Sequence, residues 1–105
     1  MADYLVRARA KGDLRALKEE LDSGAIVRMK PFGNALDFSL KNARTGPDGW
    51  IVWEENDYCT PPLAMERAAV LDRYFTDLSV ERVPQGKGWE RIDDLPRLWD
   101  AAPQE

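Results

Sequence analysis

Histidine is absent from all 105 residues, and cysteine occurs once, at Cys59. The first absence removes the imidazole base from any Ser-His-Asp or Cys-His arrangement, and with it the usual Cys/His metal sites. The second excludes an internal disulfide. The start, Met1-Ala2-Asp3-Tyr4, has neither the basic residues nor the apolar stretch of a signal peptide, so cytoplasmic residence is the expectation. No apolar run approaches the roughly 20 residues of a membrane span. Excess positive charge is missing too. The 15 Lys and Arg are interspersed among 19 Asp and Glu for a net charge of −4, which argues against nucleic acid as a partner. There is no internal repeat, and no metal or cofactor is expected.

What remains is a globular composition, 44% apolar with four tryptophans, in a chain long enough for one core. Its clearest punctuation lies between Gly49 and Val83. Trp50-Ile51-Val52-Trp53 is β-branched and aromatic, as a strand buried on both faces requires, and Gly46-Pro47-Asp48-Gly49 before it supplies turn chemistry. Glu54, Glu55, Asn56 and Asp57 carry enough charge that the strand is expected to surface there as a solvated loop. Thr60-Pro61 reads as an N-cap and first helical residue. Ala64, Ala68, Leu71 and Phe75, with Leu63 and Tyr74, then mark an apolar face, and Glu66, Arg67, Asp72 and Arg73 a wet one. Residues 78–83 largely alternate, as a half-buried strand does, until Pro84.

Upstream, residues 3–10 alternate Tyr4, Val6, Ala8 and Ala10 against Leu5, Arg7 and Arg9, which predicts a first strand. Asp13 then caps a helix whose buried side is Leu14, Leu17 and Leu21 and whose end is Ser23-Gly24. Residues 25–30, stopped by Pro31, read as a second strand. Residues 32–44 fit a helix burying Phe32, Leu36, Leu40 and Ala43 with Asn34 as cap, or a strand alternating Leu36, Phe38 and Leu40; the helix is the preferred reading. After Pro84 a tail carries Trp89, Ile92, Leu95, Leu98 and Trp99. It is expected to pack on its own sheet or on a second subunit, with a short helix from Pro96 and a frayed end over 101–105.

The order β-α-β-β-α-β predicts an α+β, ferredoxin-like domain over residues 1–84, followed by the tail over 85–105. The domain is a four-stranded antiparallel sheet with two main helices on one face, a possible extra helix at 33–44, and the first and third strands at the centre. On this plan Leu5, Arg7, Arg9, Ser79 and Glu81 occupy the open face, with Ile51, Trp53 and Glu55 assigned beside them.

Tyr4-Leu5-Val6, the Leu14/Leu17/Leu21 helix, Ser23-Gly24-Ala25 and Lys30-Pro31-Phe32-Gly33 together resemble the dimeric α+β barrel superfamily, and more loosely its YciI-like group. The resemblance covers about 80 residues and implies a homodimer with a cleft between subunits. The histidine of that group's His and Asp pair has no counterpart here, so no catalytic role is carried over.

Three functional readings follow. The first is a homodimeric, non-catalytic or small-molecule-binding module whose cleft takes a small anionic or aromatic ligand at Arg7, Arg9, Trp53, Glu55 and Glu81. Paired arginines hold a carboxylate or phosphate bidentately and stack on rings. The second is a histidine-free enzyme, isomerase- or lyase-like, using Asp/Glu, Tyr or Cys59, whose thiol would sit at the positive end of the helix begun by Thr60-Pro61. The third is an adaptor docking through the tryptophan-rich tail.

Overall fold

A computed structural model describes residues 2–100. Strands β1 (Ala2–Ala10), β2 (Arg44–Thr45), β3 (Ile51–Asp57) and β4 (Phe75–Val83) form one antiparallel sheet in the order β2-β3-β1-β4. The central strands are therefore β1 and β3, the two that the sequence pattern places at the centre. Helix α1 is Arg15–Ser23 and α2 is Gly33–Lys41. Helix α3 spans 64–74, with turns Ala64–Glu66 and Asp72–Tyr74 flanking a π-helical segment Arg67–Leu71. The C-terminal α4 is Lys87–Ile92.

Each helix follows from its apolar spacing. Leu17 and Leu21, four apart on α1, are buried, each contributing about 1.5–3 kcal/mol of transfer free energy. Asp13 accepts the Arg15 N–H at its start, and Gly24, at φ 84°, closes the left-handed end. On α2, Leu36 and Leu40 are fully buried, as is Ala43 just beyond it. Gly33 is required by contact: a Cβ there would lie 2.5 Å from the Ile26 carbonyl oxygen.

Residues 25–30 do not form the expected second strand. They turn instead, with Arg28 N–H on the Gly24 carbonyl, Met29 N–H on Ile26 and Gly33 N–H on Met29, which drives Ile26 into the core. The strand next to β3 is only the two-residue β2. Beyond Val52 the outer edge of β3 is met by α2, where the Ser39 hydroxyl donates to the Glu54 carbonyl at 2.7 Å. A helix thus satisfies an edge that a longer strand would otherwise have covered.

Register decides the faces. Directly opposed residues share a side, and the pairs Val6–Trp53, Tyr4–Glu55 and Ala8–Ile51 place Ile51, Trp53 and Glu55 on the core side with Val6 and Ala8. This corrects their assignment to the open face. Trp53 is fully buried, its ring 5.3 Å from that of Phe75. The opposite side carries Leu5, Arg7 and Arg9 with Val52, Glu54, Ser79 and Glu81.

The tail lies across part of that second side in its own chain. Glu54 accepts backbone N–H groups from Gly86 at 2.8 Å and Trp89 at 3.1 Å, and Ile92 is buried. Pro96 opens no helix. Residues 96–98 run beside the short β2 strand, with Thr45 N–H on the Pro96 carbonyl and Leu98 N–H on Ala43, and so close that sheet edge. The expected fraying over 101–105 lies outside the described residues.

Candidate functional site

Strand β3 continues through the four polar residues at which it was expected to surface. Glu54, Glu55 and Asp57 are all buried, at 5%, 0% and 5% exposure. The solvated acidic loop is therefore a buried acidic strand end, because α2, α3 and the tail enclose it. Glu55 and Asp57, two apart, share the core side.

Glu66 joins them from α3. A wet position was expected for it, but the buried stripe is Leu63, Glu66, Val70 and Leu71, at spacings of three, four and one, so Glu66 lies on the core face. The stripe read from the sequence was rotated by about one residue. The helix also begins at Ala64 rather than at Thr60-Pro61, and no side chain caps it. The Asp57 carboxylate does the organising: its Oδ2 accepts the Cys59 N–H at 3.0 Å and the Leu63 N–H at 2.7 Å. Cys59, half-buried, therefore does not sit at a helix N-terminus, and the dipole argument for a reactive thiol loses its geometry.

The electrostatics of this cluster are uneven. Burial drives the Glu55 carboxyl well above the usual range, the Glu66 charge adds to it, and a hydrogen bond from Trp53 Nε1 at 3.1 Å opposes it. Burial and a shared hydrogen bond with Asp57 raise Glu66 to about 7. Burial also pushes Asp57 upward, but the Leu63 N–H, Glu66 and Cys59 outweigh it and hold Asp57 low. At Cys59 a backbone hydrogen bond at Met65 pulls the thiol down, while burial and the Asp57 and Glu66 charges overcome it and raise it. Glu55 Oε2 and both Glu66 oxygens meet no N–H or O–H donor among the described residues. A cavity of about 190 Å³ adjoins the cluster, lined by Asn34, Asn56, Tyr58 and Met65 as well as Asp57 and Glu66.

The other side of the sheet holds the arginines. The Arg7 and Arg9 guanidinium carbons lie 4.2 and 4.0 Å from the centre of the Trp50 ring, so the stacking partner is Trp50 and not Trp53. Arg9 also donates to the Asp48 carbonyl at 2.7 Å. Arg7 is exposed and makes no ion pair among the described residues, whereas Glu81 pairs with Arg91 at 2.8 Å. Leu5, Arg7, Ser79, Glu81 and Arg91 line a recess of about 320 Å³. Of the five residues expected to bind a ligand together, the sheet unites Arg7, Arg9 and Glu81 on this side and puts Trp53 and Glu55 behind it.

A third cavity, about 560 Å³, lies between Ala10, Leu14, Ile51, Leu98 and Trp99. It offers little to orient a ligand, since its rim charges are already engaged, Arg15 with Asp13 and Lys18 with Asp22. No helix among the described residues is long and apolar enough to cross a membrane.

No protein-family model, curated protein or solved structure matches the chain, so the likeness to the YciI-like group finds no support among relatives.

Sequence reasoning missed Trp50 as the stacking ring and Glu66 as a buried acid. The only signal for the first was its position at the start of a strand whose partner carries two arginines. For the second it was the three-residue spacing from Leu63.

Proposed function

We propose that this protein is a small-molecule-binding α+β module, ferredoxin-like in plan and homodimeric, that takes a small anionic ligand at Arg7 on the side of the sheet away from the core. The observation that carries this reading is the state of Arg7. Its guanidinium is held over an indole ring, without a carboxylate partner among the described residues, at the wall of a 320 Å³ recess that also offers the Ser79 hydroxyl and whose one acid, Glu81, is already paired with Arg91 at 2.8 Å. A planar fork fixed by stacking loses little freedom when it grips a carboxylate or phosphate in two places.

Support for self-association comes from the free edge of the sheet. β4 runs for nine residues along it, with Val80, on the side of Val6, at 36% exposure.

The test is a thermal-shift screen of small carboxylates and phosphates, aliphatic and aromatic, with mass in solution measured alongside. The reading expects anion-induced stabilisation that Arg7→Ala removes with the melting temperature of the free protein nearly unchanged. Stabilisation that survives Arg7→Ala contradicts the recess, and a monomer at all concentrations contradicts the dimer.

A further inference from the structure

We propose that Asp57, Cys59 and Glu66 form a site for one divalent cation of the zinc class, with a fourth coordination position facing the cavity beside Asn34 and Tyr58. One donor atom from each residue lies within 4.8 Å of the other two. That spacing can close on a tetrahedral centre, where oxygen ligands stand at about 2.0–2.2 Å and a thiolate at about 2.3 Å.

A second observation points the same way. Glu66 is fully buried, and neither of its oxygens meets a donor among the described residues. A buried carboxylate without a partner is among the costliest arrangements in a folded chain. Beside it stand another carboxylate and a thiol, so the negative charge of the group is balanced either by a shared proton or by a cation held between them. The support around the donors is already built: Asp57 Oδ2 is pinned by two backbone N–H groups, which orients the carboxylate as outer-shell hydrogen bonds orient metal ligands.

The donor set selects the metal. Magnesium and calcium take oxygen ligands throughout, whereas a thiolate with two carboxylate oxygens suits zinc and its neighbours. Three protein ligands and one open position is the pattern of zinc sites that bind or activate a small molecule. The adjoining cavity, about 190 Å³, has room for water or a ligand's donor atom. Binding breaks the Cys59 S–H bond and forms a metal–sulfur bond, with the proton passing to solvent; nothing is oxidised or reduced. The site lies behind the sheet from Arg7 and does not depend on the anion recess.

The experiment uses chelator-stripped, full-length protein titrated with Zn2+, with Mg2+ for comparison, and then with Co2+. One Zn2+ per chain is expected, bound in preference to Mg2+, and the Co2+ form should absorb in the near ultraviolet through sulfur-to-cobalt charge transfer. Cys59→Ser should abolish that absorption. Glu66→Gln, which preserves size, should weaken Zn2+ binding by about 100-fold or more, since even outer-shell changes cost 10–100-fold. Absence of saturable Zn2+ binding overturns the proposal. So does unchanged affinity in both variants, which would assign the metal to surface carboxylates. Should Glu66→Gln not fold, the charge-transfer absorption and its dependence on Cys59 decide the matter alone.

Discussion

Glu54 and Glu55 are neighbours on one strand, both buried, and they point to opposite sides of the sheet. On the tail side, both Glu54 oxygens accept backbone N–H groups, from Gly86 and Trp89. On the core side, among the described residues, Glu55 has one donor, Trp53 Nε1, and one oxygen with none, and it faces Glu66, whose oxygens meet none. The first acid is spent on holding the fold together. The second belongs to a cluster whose charges are left for a proton or a cation to balance. The number of donors reaching each oxygen, rather than depth of burial, separates structure from chemistry in this molecule.

The largest effect on this contrast should come from truncation after Pro84. It removes both Glu54 donors, each charge-assisted bond being worth about 1.5–3 kcal/mol, along with the burial of Ile92. A loss of at least about 4 kcal/mol in urea unfolding is expected, while the core-side cluster keeps its residues. A truncated protein of unchanged stability would mean that the tail does not anchor on Glu54.

The core side should respond to pH where the tail side does not. Glu66 titrates near 7 in the folded state, above the ordinary glutamate value of 4.5, so the folded chain binds more protons than the unfolded chain between these values. Stability is then fully present below pH 4.5 and is lost as pH rises through 7, by about 3 kcal/mol in chelator. Glu55 acts in the same direction, and Asp57 and Cys59 are the other ionisable groups facing Glu66. Denaturant midpoints from pH 4.5 to 8 should fall in the wild type and fall less steeply in Glu66→Gln; equal slopes would contradict the buried-acid account.

A smaller effect probes how closely the tail sits. A Cβ at Gly88 would stand 2.8 Å from Glu54 Oε1, so Gly88→Ala should cost about 1–2 kcal/mol and loosen α4 in hydrogen exchange. Exchange rates in α4 equal to the wild type would show that the approach is not tight.

The legible parts of the fold were those with a clean period. The alternation of Tyr4, Val6 and Ala8 gave β1 and its faces, the Leu17 and Leu21 stripe gave α1, and Leu36 with Leu40 favoured α2 as a helix. Where the period vanished, so did the signal. Six of the seven residues of β3 are buried, so the strand carries no alternation from which to read its phase, and only pairing with Val6 shows that Trp53 and Glu55 face the core. Residues 25–30 are apolar enough for a strand but too few to be told from a turn that buries Ile26. The acid cluster was least legible. Its members come from a strand end, a loop and a helix, and charge in sequence reads as solvent until tertiary packing closes over it.

The most direct measurement compares Glu54→Gln with Glu55→Gln by urea unfolding at pH 7. A glutamine keeps the shape but exchanges one acceptor for a donor. At Glu54 that donor must confront a backbone N–H, and a loss of about 1–3 kcal/mol is predicted. At Glu55 it replaces the oxygen that has no partner, and a change within about 0.5 kcal/mol, or a gain, is predicted. Equal losses at the two positions, or a larger loss at Glu55, would contradict the distinction between the two sides of the sheet.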